Sequence, residues 1–135
     1  LLPLYGVAIV GRVSVTAVVA VVPFTMVVGC NLLATHWPDR DADAMVGKRT
    51  LAVRWSPRRL RLAYWLLASA AVLWTVAVVG RVLPVPVVAA QGVALPPLVW
   101  GGVVLTRQRS PFPAVFAMVL HAGAGTVAWW WLALG

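Results

Sequence analysis

The chain has 135 residues, 62% of them hydrophobic and only 10% charged, with a mean hydropathy of +0.93 and a formal net charge of +8. Soluble domains carry roughly 25% charged residues, so a soluble fold of this length is excluded and lipid is the expected solvent. The basic residues lie between long apolar runs rather than in one soluble patch, which argues against nucleic acid and for loops facing membrane lipid or an anionic substrate.

Residues 1–11 are apolar but too short to span a bilayer, which takes about 20 residues. They lack the basic start and small-residue cleavage site of a signal peptide, and read as the remnant of a preceding helix. Residues 13–35 form the first expected span, free of charge, with a kink expected at Pro23. Cys30 lies within it and is the only cysteine, so no intrachain disulfide can form. A polar loop or helix, 36–61, follows. The second span is expected at 62–80, between Arg61 and Arg81. The third, at 85–106, contains Pro96 and Pro97, which should break or kink it. The fourth, at 112–134, has Pro111 and Pro113 at its first turn, where proline is tolerated. The whole chain then reads as a single all-α transmembrane domain, a polytopic helix bundle of four spans.

Orientation follows from the distribution of Arg and Lys. Arg40, Lys48, Arg49, Arg54, Arg58, Arg59 and Arg61 follow the first span, and Arg107 and Arg109 follow the third. Only Arg12 and Arg81 fall on the other side. The 36–61 segment is therefore expected in the cytoplasm, with Trp129, Trp130 and Trp131 in an interfacial belt at the outer face.

The chemistry is concentrated in 36–61. All three acidic residues, Asp39, Asp41 and Asp43, lie there, beside the only lysine, Lys48. On a helix Asp39 and Asp43 share a face and Asp41 points elsewhere. Two facing carboxylates repel unless a cation sits between them. Hard oxygen ligands suit Mg²⁺, which is usually held by one or two carboxylates plus substrate phosphates. Lys48, Arg49 and Arg54 supply positive charge for such phosphates. Gly47-Lys48-Arg49-Thr50 is not a phosphate loop of the Walker type, because no glycine precedes it at the required offset and no strand leads in.

The segment Asp39-Arg40-Asp41-Ala42-Asp43, followed after three residues by Gly47-Lys48-Arg49-Thr50-Leu51-Ala52-Val53-Arg54, resembles the second aspartate-rich motif of the UbiA-type membrane prenyltransferases, with the menaquinone-type branch closest. The resemblance implies a nine-helix fold with two aspartate motifs facing each other across a cavity, of which this chain is the C-terminal part. It implies Mg²⁺-dependent transfer of an isoprenyl group, from an isoprenyl diphosphate to an aromatic or other small lipophilic acceptor, in an inner cell membrane, as in quinone biosynthesis. By position Asp39 and Asp43 are the metal ligands and catalytic residues, and Lys48, Arg49 and Arg54 bind the diphosphate. Asp41, Asn31 and His36 are possible supporting residues. Many members carry Asn four positions before the first aspartate; here Thr35 stands there, with Asn31 one turn back. The first aspartate motif is not in this sequence, so its partner is expected to be a missing N-terminal half, and the chain is expected to be an incomplete enzyme.

Two other readings compete. A phosphatidyl-alcohol transferase also uses an Asp-x-x-x-Asp but wants an upstream Asp-Gly-x-x-Ala-Arg element that this chain lacks. A non-catalytic transporter or assembly segment would use the aspartates as an ion-pair latch. His121 and Gln91, both within spans, read as hydrogen-bonding groups between helices. Gly101, Gly102, Gly123 and Gly125 read as sites of close helix approach or as room for a prenyl chain.

Overall fold

In the computed structural model, Gly11 and residues 14–135 are described. The expected remnant at 1–11, apart from Gly11, lies outside them, as do Arg12 and Val13. The described residues form helices without a strand. They give four helical segments long and apolar enough to cross a membrane.

Helix α1 is Val15–His36. Ser14 caps it, its Oγ accepting from the Ala17 N–H at 3.1 Å. The helix runs through Pro23, which lacks the N–H that would bond the Val19 carbonyl. Trp74 of a neighbouring helix donates its indole N–H to that carbonyl at 3.2 Å. A membrane interior has no water to do this, and a bare carbonyl there costs several kcal/mol.

Three short elements follow at the His36 end: α2 at Arg40–Met45, α3 at Leu51–Arg54, and the start of α4 at Pro57–Val78. Helix α4 begins at Pro57, with Ser56 as its cap, so Arg58, Arg59 and Arg61 lie on its first two turns. The third span, Val85–Val104, is two helices. α5 is Val85–Gln91 and α6 is Leu95–Val104, joined by a 3₁₀ turn at Gly92–Ala94. The break thus precedes Pro96 and Pro97, which occupy the first turn of α6, where a missing N–H costs no bond. Helix α7 is Phe112–Leu134.

The core lies where α1, α4, α6 and α7 meet, around Val27, Cys30, Leu60, Tyr64, Leu98 and Ala117. Tyr64 crosses from α4 to α6, its hydroxyl donating to the Leu98 carbonyl at 2.8 Å. Gly101 and Gly102 make this contact possible. A Cβ on Gly101 would run into the Tyr64 hydroxyl, and one on Gly102 would lie 2.6 Å from the Trp65 ring. At most a third of any span is buried inside the bundle. Leu66, Leu73, Val76, Trp130 and Trp131 face outward, as side chains solvated by lipid do.

Candidate functional site

The aspartates sit at the end of the bundle where α1 stops. After α1 the chain turns through Trp37 and Pro38, and Asp39 is the N-cap of α2 with helical backbone angles. The Asp43 N–H bonds the Asp39 carbonyl at 2.8 Å, so the two residues are one helical turn apart. Asp39 is exposed and, among the described residues, makes neither a capping bond nor an ion pair. Asp43 is buried, the only acidic side chain of α2 that is.

The end of α2 decides what Asp43 meets. Gly47 adopts φ +73°, the left-handed conformation that glycine enters without a Cβ penalty. Its N–H bonds the Ala44 carbonyl at 3.2 Å, and the Lys48 N–H bonds the Asp43 carbonyl at 2.9 Å. This pair of bonds is a Schellman cap. It folds the chain back so that Lys48 Nζ lies 3.1 Å from Asp43 Oδ1. The glycine–lysine pair after the second aspartate therefore has a physical role. It terminates the aspartate helix and returns a cation to its carboxylate.

Asp41 points away from this pair, as helical phase requires. It accepts from Arg109 Nη2 at 2.8 Å, tying α2 to the turn between α6 and α7. Nothing in the sequence marked Arg109 as its partner, since the two are 68 positions apart. Arg40 instead lies over the Trp37 ring, 5.1 Å from its centroid. Arg49 and Arg54 are exposed at the same end. Thr50 begins α3 without capping it, and its hydroxyl oxygen is buried without a hydrogen-bond partner among the described residues. His36 is half-buried in the last turn of α1. Asn31 is turned toward α7, where its amide donates to Met118 Sδ at 3.5 Å while its carbonyl oxygen stays unpartnered.

Among the described residues no three or more His, Cys, Asp or Glu side chains converge tightly enough to hold a metal by themselves. What the segment offers is a pair of carboxylates one turn apart, one of them already facing an ammonium group. Such a donor set fits Mg²⁺ when phosphate oxygens and water complete the shell.

Among known proteins, no curated protein and no solved structure matches the chain. The model of the UbiA prenyltransferase family matches residues 1–122. The chain belongs to that family.

Proposed function

We propose that this member of the UbiA prenyltransferase family carries out Mg²⁺-dependent transfer of an isoprenyl group from its diphosphate to an aromatic or other small lipophilic acceptor, at the cytoplasmic face of a cell membrane. The observation that carries the reading is the Schellman turn at Gly47, which places Lys48 Nζ 3.1 Å from the buried Asp43 carboxylate, one turn from the exposed Asp39. A site for a metal-bridged diphosphate needs carboxylates for the cation and a mobile cation for the phosphates, side by side. Two carboxylates one helical turn apart beside an exposed ammonium group support this reading.

Asp39 and Asp43 would hold Mg²⁺, which supplies charge neutralisation for the diphosphate as it departs. Lys48 is long and two-thirds exposed. From its place beside Asp43 it would reach a phosphate oxygen of the bound diphosphate. Arg49 and Arg54 add donors at the same end of the bundle. Loss of diphosphate leaves an allylic cation; the acceptor bonds to it and gives up a proton, which the released diphosphate can take, and stabilising the leaving group is the largest contribution asked of the protein. The apolar spans hold the isoprenoid tail. The first aspartate motif, which the resemblance implies, would face Asp39 and Asp43 and supply further ligands.

The test is transfer of a radiolabelled prenyl group from its diphosphate to hydroxyaromatic acceptors, in membranes that contain the protein. Asp39→Ala and Asp43→Ala should each abolish Mg²⁺-dependent product formation. Retention of most of the activity by both variants would sink the assignment.

A further inference from the structure

The first turns of α4 meet the turn between α6 and α7, and the two together gather three arginines. Arg58, Arg61 and Arg107 line one cavity of about 410 Å³. Among the described residues no aspartate and no lysine lines it, so its lining is distinct from the carboxylate site. Guanidinium groups set around one space repel one another unless an anion lies among them. The chain does not supply that anion. Its three carboxylates are Asp39, Asp41 and Asp43. Asp43 is paired with Lys48 and Asp41 with Arg109, and Asp39 makes no ion pair among the described residues.

The backbone of the α6–α7 turn is shaped to hold one of the three arginines. Leu105, at φ −51° and ψ 130°, and Thr106, at φ +67°, are the central residues of a type II turn. The Arg107 N–H closes it on the Val104 carbonyl at 2.9 Å. The second central position favours glycine, and a β-branched residue there is strained. Glycine would relieve the strain but would remove the hydroxyl. Thr106 Oγ1 accepts from Arg61 Nη1, which fixes this half-buried side chain at the cavity. A guanidinium has five N–H donors, so donors remain for a ligand. Local strain of this kind collects at binding sites.

The rest of the cavity is apolar. Leu62 and Trp65 follow Arg58 at i+4 and i+7 on one face of α4, and Val103 joins them from α6. Gly102 lets the Trp65 ring lie against α6, since a Cβ there would be 2.6 Å from it. Leu62 is 59% exposed and Val103 47%, so this wall is open at the surface of the bundle. Trp65 lies roughly 10 Å along the helix from Arg58 at 1.5 Å rise per residue. The cavity thus has a cationic mouth at the end of the spans and an apolar wall within them. Free phosphate would use only the mouth, and a neutral lipid only the wall. A zwitterionic lipid brings its own cation toward the arginines. A phospholipid with net negative charge matches both parts, as in other basic pockets between membrane helices.

We propose that the cleft between α4 and α6 binds one anionic phospholipid, its phosphate held by Arg58, Arg61 and Arg107 and an acyl chain lying along Leu62, Trp65 and Val103. The site stands whether or not Asp39 and Asp43 bind a diphosphate. It is tested by native mass spectrometry of the purified full chain in neutral detergent, titrated with palmitoyl-oleoyl phosphatidylglycerol or with phosphatidylcholine of the same chains. The first phosphatidylglycerol should bind about tenfold tighter than the first phosphatidylcholine. Neither excess inorganic phosphate nor an equal concentration of geranyl diphosphate with Mg²⁺ should displace it. Arg61→Gln and Arg107→Gln should each weaken phosphatidylglycerol about fivefold, the scale of one basic residue beside an anionic headgroup, and leave phosphatidylcholine unchanged. Arg59→Gln is the control, because Arg59 is exposed on the same turn of α4 and does not line the cavity. Equal binding of the two lipids overturns the proposal, as does an Arg59→Gln loss as large as that of Arg61→Gln, which would mean diffuse positive charge only. Displacement by phosphate or by geranyl diphosphate also overturns it, assigning the arginines to a soluble anion or to the prenyl donor. The comparison of lipids on the unaltered protein decides the matter even if a variant fails to fold.

Discussion

Lys48 meets Asp43 twice, once through its backbone and once through its side chain. Its N–H closes the end of the aspartate helix on the Asp43 carbonyl at 2.9 Å, and its Nζ lies 3.1 Å from Asp43 Oδ1. The backbone bond fixes where the side chain starts. The ion pair is partly open to solvent on the lysine side and buried on the aspartate side, so the cation can leave while the carboxylate stays. A stable cap and a movable cation are thereby built from one residue.

Gly47→Ala tests the cap. An L-residue held at φ +73° costs about 1–2 kcal/mol, and the turn that returns Lys48 to Asp43 is strained or lost. Transfer activity should fall, and stability in detergent should drop by a similar amount, from backbone strain alone, since nothing lies within 4 Å of the added Cβ. Activity equal to that of the unaltered protein would show that the cap does not position Lys48.

Lys48→Met removes the cation and keeps the aliphatic stem. On the proposed reading, KM for the isoprenyl diphosphate should rise about tenfold or more, the scale of a charged hydrogen bond worth roughly 1.5–3 kcal/mol, and KM for the acceptor should change little. Lys48→Arg should recover part of the loss. A variant in which only the acceptor KM moves would place Lys48 elsewhere in the mechanism.

Asp41→Asn breaks the pair with Arg109. Both side chains are mostly exposed, at 67% and 76%, and exposed pairs contribute at most about 1 kcal/mol. Stability should barely change, and the difference should shrink further in high salt. Near-complete loss of prenyl transfer would instead make Asp41 a ligand rather than a tether.

Trp74→Phe leaves the Val19 carbonyl, freed by Pro23, without its donor. The expected loss is about 1–2 kcal/mol of stability, measured by reversible unfolding in mixed micelles. Pro23→Ala restores a helical N–H for that carbonyl. The two substitutions together should therefore cost less than the sum of the single ones, and strict additivity would contradict the pairing.

Gly101→Ala pushes a methyl group into the Tyr64 hydroxyl. Overpacking of this kind costs about 1–3 kcal/mol. Gly123→Ala is the control: nothing lies within 4 Å there, and the higher helix propensity of alanine should leave the protein as stable or slightly more so. The pair separates glycines that serve packing from those that do not, a distinction the sequence alone did not draw.

What the sequence determined by itself is what depends on composition along a continuous stretch. Long uncharged runs specify four membrane helices, because twenty apolar residues in hydrocarbon must satisfy their own backbone. The crowding of every carboxylate beside the only lysine marks the segment where charge is concentrated, and Asp39-x-x-x-Asp43 with Gly47-Lys48 carries the resemblance to the family. Tertiary structure decided the partners. Pro96 and Pro97 signal a break, but its place at Gly92–Ala94 follows from the prolines fitting the first turn of α6. Asp41 is assigned to Arg109 by the fold of α2 against the α6–α7 turn. Gln91 Oε1 and His121 Nε2 have no hydrogen-bond partner among the described residues, although both residues belong to hydrophobic runs that promised them helix–helix bonds. The physical reason is the range of the forces involved. Burial and helix formation sum over neighbours in sequence, whereas a hydrogen bond or ion pair of about 3 Å depends on which distant residues the packing brings within reach.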